Sequence, residues 1–127
     1  MYEIIFDEQI KEIKEFIAYL EDLKKNKNRN KSDKIRFNKI VAYLNKLEEY
    51  GTWIGMPFTR HLESGIWELR PLDDRILYAL VENNKFILLN YFVKKSRKTP
   101  KNEIKIAKRN RELFLQRGGE NENMERG

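Results

Sequence analysis

The chain has 127 residues, a length that suits one domain. It has no cysteine and a single histidine, His61, which excludes disulfides, a thiol nucleophile and a cysteine- or histidine-rich metal site. A formal net charge of +6 favours a polyanionic partner. No apolar run is long enough to span a bilayer, and the acidic N-terminus does not resemble a signal peptide. We therefore expect a cytoplasmic protein.

The first half of the sequence predicts a strand followed by two helices. Residues 1–6 (MYEIIF) are predicted to form a short edge strand. From about Glu8, apolar residues recur at intervals of three and four, which indicates one face of a helix. A polar, basic loop over 24–31 follows, and the second helix is predicted to begin after Ser32 as N-cap and to end at Gly51. A short loop between two such helices predicts an antiparallel pair.

The second half of the sequence changes to the period of strands. Residues 65–70 (GIWELR) alternate, so that Ile66, Glu68 and Arg70 share one face. Before them, the stretch with Gly55 and Pro57 is predicted to be irregular. The predicted strands are 65–70, 75–81 and 86–93, joined by turns at 71–74 and 82–85. A final helix is predicted after Thr99, as its cap, and Pro100.

This order of elements predicts an α+β fold: a strand, a helical hairpin, a three-stranded antiparallel meander and a C-terminal helix. The single domain is predicted to cover residues 1–117, and the apolar-poor tail, 118–127, is predicted to be disordered. The helical hairpin is expected to cover one face of the sheet. The opposite face is then left to basic residues.

Basic residues are concentrated in two runs. Residues 94–111 contain nine Lys or Arg against one acid, and residues 24–39 contain eight against one. The acidic residues gather elsewhere, in the first helix and in the tail. The molecule is therefore expected to have a positive face, where binding to RNA phosphates would be sensitive to salt.

Three motifs together resemble the phage-derived HigB-type toxins of the RelE/ParE superfamily: Gly65–Arg70 (GIWELR), Arg75–Tyr78 (RILY) and Phe92–Pro100 (FVKKSRKTP). The resemblance covers roughly residues 60–111, and the helical hairpin matches by architecture. It implies a RelE-like fold and a type II toxin–antitoxin toxin, a ribosome-dependent mRNA endoribonuclease (mRNA interferase) that inhibits translation without a metal or other cofactor.

The resemblance also implies partners and leaves alternatives. Its inhibitor would be a helix-turn-helix antitoxin (HigA-like), and operator DNA would be bound only through that antitoxin. The basic stretch would then serve RNA, an acidic antitoxin, or both. One alternative is a ParE-like inhibitor of DNA gyrase, and another is a non-catalytic RNA-binding module of the same shape.

Arg70 and Arg75 are the predicted phosphate-binding residues. Attack by the 2′-hydroxyl of RNA requires stabilisation of a pentacoordinate phosphate, and the planar guanidinium binds pairs of phosphate oxygens. The two arginines flank a four-residue turn, so their side chains are expected to converge. The alternative is a structural pairing with Asp73 or Asp74 in the same turn.

Lys94 and Lys95 are predicted to be catalytic, because the resembling toxins present basic active-site residues after the last strand. Since a strand alternates, only one of the two points at the groove, and Lys95 is slightly favoured. Arg97 and Lys98 are predicted to bind RNA from the following loop. The alternative for them is a solvated charge cluster.

Arg60, His61 and Tyr91 complete the predicted RNA-binding set. The pKa range of histidine suits proton transfer near neutrality, although a lone histidine is more often a surface or packing residue. Tyr91 is predicted to stack on a base or to bond a phosphate, with a core position as the alternative. Asn90 stands where the resembling motif commonly has histidine. The groups that move protons are thus left unassigned.

Overall fold

The computed structural model has the predicted α+β architecture, with helices packed on a five-stranded sheet. It describes residues 1–118 with their side chains and the backbone of 119–126. The predicted disorder of 118–127 falls, apart from Gly118, on residues whose side chains are not described, and it stays a prediction. The elements are β1 (Glu3–Ile5), α1 (Lys11–Asn26), α2 (Lys31–Tyr50), a 3-10 turn (Gly51–Ile54), β2 (Thr59–Glu63), β3 (Ile66–Leu69), β4 (Asp74–Glu82), β5 (Lys85–Val93) and α3 (Lys101–Arg126).

Helices α1 and α2 form the predicted antiparallel hairpin. The spacing of three and four in α1 brings Ile13, Phe16 and Leu23 to one buried face, and α2 contributes Ile40 and Leu47 to the same core. Burial of such a stripe removes apolar surface from water and supplies most of the stability of a short helix. No helix in the described part of the chain is long and apolar enough to cross a bilayer.

The ends of α2 are fixed by two local signals. The side chain of Asn30 caps the N-terminus, because its Oδ1 accepts a hydrogen bond from the backbone N–H of Asp33 at 3.2 Å. The prediction of Ser32 as the cap is therefore wrong by two residues. At the other end, Gly51 has a φ of 64° and its N–H donates to the carbonyl of Leu47, as predicted for a glycine that ends a helix.

The sheet has the strand order β1-β5-β4-β3-β2. Strand β1 pairs in parallel with β5 at one edge, and the other neighbours are antiparallel. The prediction of an irregular stretch before the meander is wrong for Thr59–Glu63, which forms β2. A two-residue turn at Ser64-Gly65, with φ values of 51° and 75°, joins β2 to β3. Positive φ at both central residues characterises the type I′ turns that link tight hairpins.

Helix α3 packs on the sheet face opposite the hairpin. It contacts β5 most extensively and β4 and β3 less, and its Ile104 and Ala107 are buried there. Asn110 donates from Nδ2 to the carbonyl of Leu89 at 2.8 Å, which fixes the helix to β5. The prediction that basic residues alone occupy this face is therefore wrong. What remains accessible is the part of the face near the β3–β4 turn.

Candidate nucleic-acid interface

Three arginines surround one buried carboxylate on the accessible part of the α3-bearing face. Glu68 of β3 is only 1% exposed, and its Oε1 lies 3.2 Å from Nη2 of Arg60, 3.5 Å from Nε of Arg70 and 3.9 Å from Nε of Arg75. The strand register explains the meeting, since Arg60 on β2 pairs directly with Glu68 and Arg70 follows two residues later. We call Arg60, Arg70 and Arg75 around Glu68 the arginine cluster. Its three positive charges exceed its single negative charge by two.

The arginine cluster has more hydrogen-bond donors than its own acceptors satisfy. Among the described residues, Nε of Arg60 and Nε of Arg70 are buried and have no hydrogen-bond partner. The side chains of these two arginines are nevertheless 36% and 21% exposed, so their outer nitrogens face solvent. Unsatisfied donors are unusual in folded proteins. An anion that approaches from solvent would meet the exposed part of each side chain and not the buried Nε atoms.

Arg75 has a different position within the cluster. Its side chain is 7% exposed, and its Nη1 donates to the carbonyl oxygens of Leu72 at 2.7 Å and Asp74 at 2.9 Å. Leu72 has a φ of 54°, a left-handed conformation that is unfavourable for a residue with a branched side chain. Arg75 thus stabilises the β3–β4 turn through backbone carbonyls, and neither predicted carboxylate partner, Asp73 or Asp74, accepts from it with its side chain. Burial lowers the pKa of the Arg75 guanidinium.

The loop between β5 and α3 runs from the end of β5 to the arginine cluster. At its start, the N–H of Lys94 donates to the carbonyl of Asp73 at 2.9 Å. At its end, the hydroxyl of Thr99 donates to Oε2 of Glu68 and lies 3.3 Å from Nη2 of Arg60. The exposed basic side chains of this loop are Lys94, Lys95, Arg97 and Lys98. These four predicted site residues therefore lie in a loop whose end contacts the arginine cluster.

The N-terminus of α3 lies next to the cluster because the helix begins two residues after Thr99. The carbonyl of Pro100 accepts the N–H groups of Glu103 and Ile104, which opens the helix. The prediction that the Thr99 side chain caps α3 needs correction, since its hydroxyl bonds Glu68 and Arg60 instead. The positive end of the helix dipole adds to the potential of the cluster.

His61 does not join the arginine cluster. It pairs with Trp67 in the β2–β3 register, on the face opposite that of Arg60, and its ring contacts the Trp67 ring edge-on at 5.2 Å. Successive residues of a strand point to opposite faces, so Arg60 and His61 cannot both reach one groove. The exposed His61 therefore lies apart from the site predicted for it.

Tyr91 also lies on the hairpin-bearing face. Its ring stacks on Phe16 at 4.7 Å and Tyr19 at 5.2 Å, and its hydroxyl donates to Oδ1 of Asp74 at 2.6 Å. Burial, together with the hydrogen bond to Asp74, raises the pKa of Tyr91. Arg36 of α2 completes the group with an Nη2 contact of 2.8 Å to Asp74. The ring predicted to stack on a base thus packs between the hairpin and the sheet.

Replacing Asp74 by asparagine is expected to lower the free energy of unfolding by about 2 kcal/mol. The carboxylate is 1% exposed and joins Arg36 of the hairpin to Tyr91 of the sheet. An amide of the same size leaves the Arg36 guanidinium without its negatively charged partner. Urea denaturation measures the change. The matched control is Asp73→Asn at the adjacent, 72% exposed position, which should leave stability close to that of the unmodified protein. Equal stability of both variants would contradict this role of Asp74.

Asn90 is buried beneath the start of α3. Its Nδ2 donates to the carbonyl of Glu103 at 3.0 Å and its Oδ1 accepts from the backbone N–H of Tyr91. With an exposed fraction of 1%, the side chain binds the helix to the sheet. Asparagine at the position where the resembling motif commonly has histidine therefore has a structural partner on each side.

The basic residues of 94–111 divide into paired and unpaired groups. On α3, Lys108 lies 2.6 Å from Glu63 of β2, and Arg109 lies 3.4 Å from Glu12 of α1. Among the described residues, Lys95, Arg97 and Lys98 of the loop form no ion pair, and neither do Lys101, Lys105 and Arg111 of α3. Unpaired positive charge therefore extends from the loop next to the cluster along α3.

Sequence reasoning missed Glu68 and Thr99 as members of the site. The alternation of residues 65–70 placed Glu68 on the same face as Arg70, and an acid inside a strand that also carries Ile66 is a signal for a buried ion pair. Thr99 carried no comparable signal, because its contact with Glu68 depends on the path of the preceding loop.

Comparisons with known proteins identify a family and several solved structures of similar fold. Residues 21–112 match the family model described as phage derived protein Gp49-like (DUF891). No curated protein matches the chain. A YoeB-YefM complex from Staphylococcus aureus shows 21% identity and a TM-score of 0.46 over 74% of this chain and 98% of that one. A heterotetrameric YoeB-YefM toxin-antitoxin complex from the same organism shows 22% identity and a TM-score of 0.45 over 76% and 98%.

Proposed function

The chain belongs to the Gp49-like family of phage-derived proteins, and on this premise we propose that it is a HigB-type toxin of a type II toxin–antitoxin system. Its proposed activity is ribosome-dependent cleavage of mRNA, which inhibits translation. The observation that carries the proposal is the arginine cluster, with its excess positive charge and the partly exposed side chains of Arg60 and Arg70. The motifs of the meander and of the following loop, which resemble those toxins, support it.

Arg60 and Arg70 are the proposed ligands of the scissile phosphate. Each combines a contact to Glu68 on its inner side with outer nitrogens that face solvent, so a phosphate is bound from outside while Glu68 holds the guanidinium in place. As the 2′-hydroxyl attacks, the phosphate gains negative charge, and fixed guanidinium donors stabilise that charge without reorganising. Arg75 acts on the site indirectly, because its donors hold the β3–β4 turn.

Lys94, Lys95, Arg97 and Lys98 form the second wall of the proposed site. Their exposed side chains lie in the loop whose far end contacts both Glu68 and Arg60. The ammonium groups of Lys94 and Lys95 supply positive charge and exchangeable protons near the departing 5′-oxygen. Arg97 and Lys98 bind neighbouring phosphates and raise the rate of encounter with RNA. This chemistry uses the 2′-hydroxyl of the substrate as nucleophile and needs no cofactor.

The proposed inhibitor is a helix-turn-helix antitoxin of the HigA kind. The unpaired loop cations and the arginine cluster form one positive surface, which an acidic segment of an antitoxin would neutralise and cover. Inhibition by occlusion then uses the same surface as RNA binding. In such a complex, operator DNA is bound through the antitoxin.

Induction of the protein in a bacterium tests the proposal. We expect growth to stop and translated mRNAs to be cut within their coding regions, while untranslated transcripts stay whole. Northern analysis of one message with an intact or a mutated start codon measures the dependence on translation. Arrested growth with intact mRNA and altered DNA supercoiling would favour a gyrase inhibitor, and the absence of toxicity would favour a non-catalytic RNA-binding module.

A further inference from the structure

Trp53 is a large aromatic side chain left in solvent. It is 89% exposed, more than any other large apolar side chain among the described residues. Each tryptophan that folding leaves in water forgoes a large burial of apolar surface. The feature therefore has no explanation in the packing of this chain.

The segment that carries Trp53 is well ordered by its own contacts. On one side Gly51 is buried and bonded to α2, and on the other side Ile54 packs against the core. The carbonyl of Gly55 then accepts the N–H groups of Phe58 and Thr59 at 2.9 and 3.0 Å. Trp53 thus lies in a turn that is held in place by contacts on both sides.

This segment leads directly to the arginine cluster. Met56, itself 60% exposed, accepts a contact of 3.4 Å from Nη1 of Arg70 at its Sδ, and the carbonyl of Phe58 accepts the backbone N–H of Arg70 at 2.9 Å. Met56 follows Trp53 by three positions in the chain, so their Cα atoms lie within about 10 Å. The exposed indole is therefore connected to the residue that contacts Arg70 by a short, anchored segment of chain.

The combination of a flat apolar ring and free guanidinium donors matches the chemistry of a single-stranded nucleic acid. Each nucleotide offers one flat base and one phosphate, and proteins that bind such strands combine aromatic platforms with basic grooves. A purely apolar protein partner would cover the partly exposed side chains of Arg60 and Arg70, 36% and 21% exposed, without offering them further acceptors. The charge beside Trp53 therefore favours a polyanion with exposed bases.

We propose that Trp53 stacks on an unpaired base of the RNA, within one or two nucleotides of the phosphate held by Arg60 and Arg70. This inference rests on the proposed function and adds a contact that selects single-stranded over paired RNA. Because every base has a flat face, stacking contributes affinity and position with little sequence preference.

The test uses the full chain with Trp67→Phe, so that Trp53 is the only tryptophan. The probe is a single-stranded RNA oligonucleotide that carries 2′-O-methyl groups throughout and cannot be cleaved by its own hydroxyls. We expect binding at low salt to quench Trp53 fluorescence.

In the protein that keeps Trp67, Trp53→Ala should weaken binding by about 5- to 100-fold, and Trp53→Phe by much less. Tyr50→Ala, at another exposed aromatic only three residues away, is the matched control and should bind normally.

Three results distinguish the outcomes. Normal RNA binding by Trp53→Ala together with weak binding by Arg70→Ala would overturn the stacking role and leave the proposed function standing. Absence of RNA binding by the unmodified protein would overturn the stacking role alone, because the proposed cleavage takes place on the ribosome and is tested there. If a duplex of the same sequence bound equally well, with the same loss in Trp53→Ala, selection for unpaired bases would be wrong.

Discussion

Replacing Arg70 by alanine is expected to reduce the rate of RNA cleavage by about 10²- to 10³-fold, the usual effect of removing one donor from a charged transition state. Arg70 contributes a partly exposed guanidinium whose Nε is buried without a hydrogen-bond partner among the described residues. Its loss removes a fixed positive charge from the phosphate and a contact to Glu68. Cleavage of a radiolabelled message on programmed ribosomes measures the rate.

Two companion variants make the Arg70 result specific. Arg70→Lys keeps the charge but lacks the planar fork, so we expect it to recover only part of the activity. Arg29→Ala, in the exposed turn between α1 and α2, removes the same charge away from the cluster and should cleave at the normal rate. Undiminished cleavage by a folded Arg70→Ala protein would remove the arginine cluster from the mechanism.

Replacing Glu68 by glutamine is expected to lower the free energy of unfolding by about 3 kcal/mol, as removal of one partner from a buried ion pair does. The carboxylate is 1% exposed and lies within 4 Å of three guanidinium groups, which then repel one another. The expected loss of unfolding free energy is at the lower end of the range for buried ion pairs, because the side chains of Arg60 and Arg70 are partly solvated. Urea denaturation measures the change.

Inorganic phosphate supplies a second measurement on the Glu68 variant. Without the carboxylate, the three cations should bind an anion more tightly, so phosphate should restore more stability to Glu68→Gln than to the unmodified protein. Glu63→Gln is the matched control, since this exposed carboxylate on β2 pairs with Lys108 at the surface. Equal stability and equal phosphate response of Glu68→Gln and the unmodified protein would contradict a central role for Glu68.

Most of the fold follows from periodicity in the sequence. The hairpin helices and the strands of the meander each carry several apolar residues at the spacing of their element, and these are the residues that the core buries. Strand β2 lacks that signal, because Thr59–Glu63 (TRHLE) has a single aliphatic residue and is held mainly by pairing with β3. The Ser64-Gly65 turn was the available evidence for it.

Part of the site could be predicted from the sequence. The rest could not, because it depends on how the strands pair. Arg70 and Arg75 meet as expected because they flank one turn, but burial assigns Arg75 to the turn itself. Whether Arg60 or His61 faces the cluster depends on the pairing of β2 with β3, which no local pattern reveals. Tyr91 was misplaced for the same reason, since its face follows from its pairing with Ile76.

The chemistry of the cut ends shows whether the 2′-hydroxyl of the RNA is the nucleophile. Programmed ribosomes carrying a defined message are incubated with the purified protein, and the new 3′ ends are analysed by mass spectrometry. We predict a 2′,3′-cyclic phosphate at each cut, and loss of cutting when the ribose before the scissile phosphate lacks its 2′-hydroxyl. An uncut message, or continued cutting of the deoxyribose-substituted message, would contradict RNA cleavage through the 2′-hydroxyl at the arginine cluster.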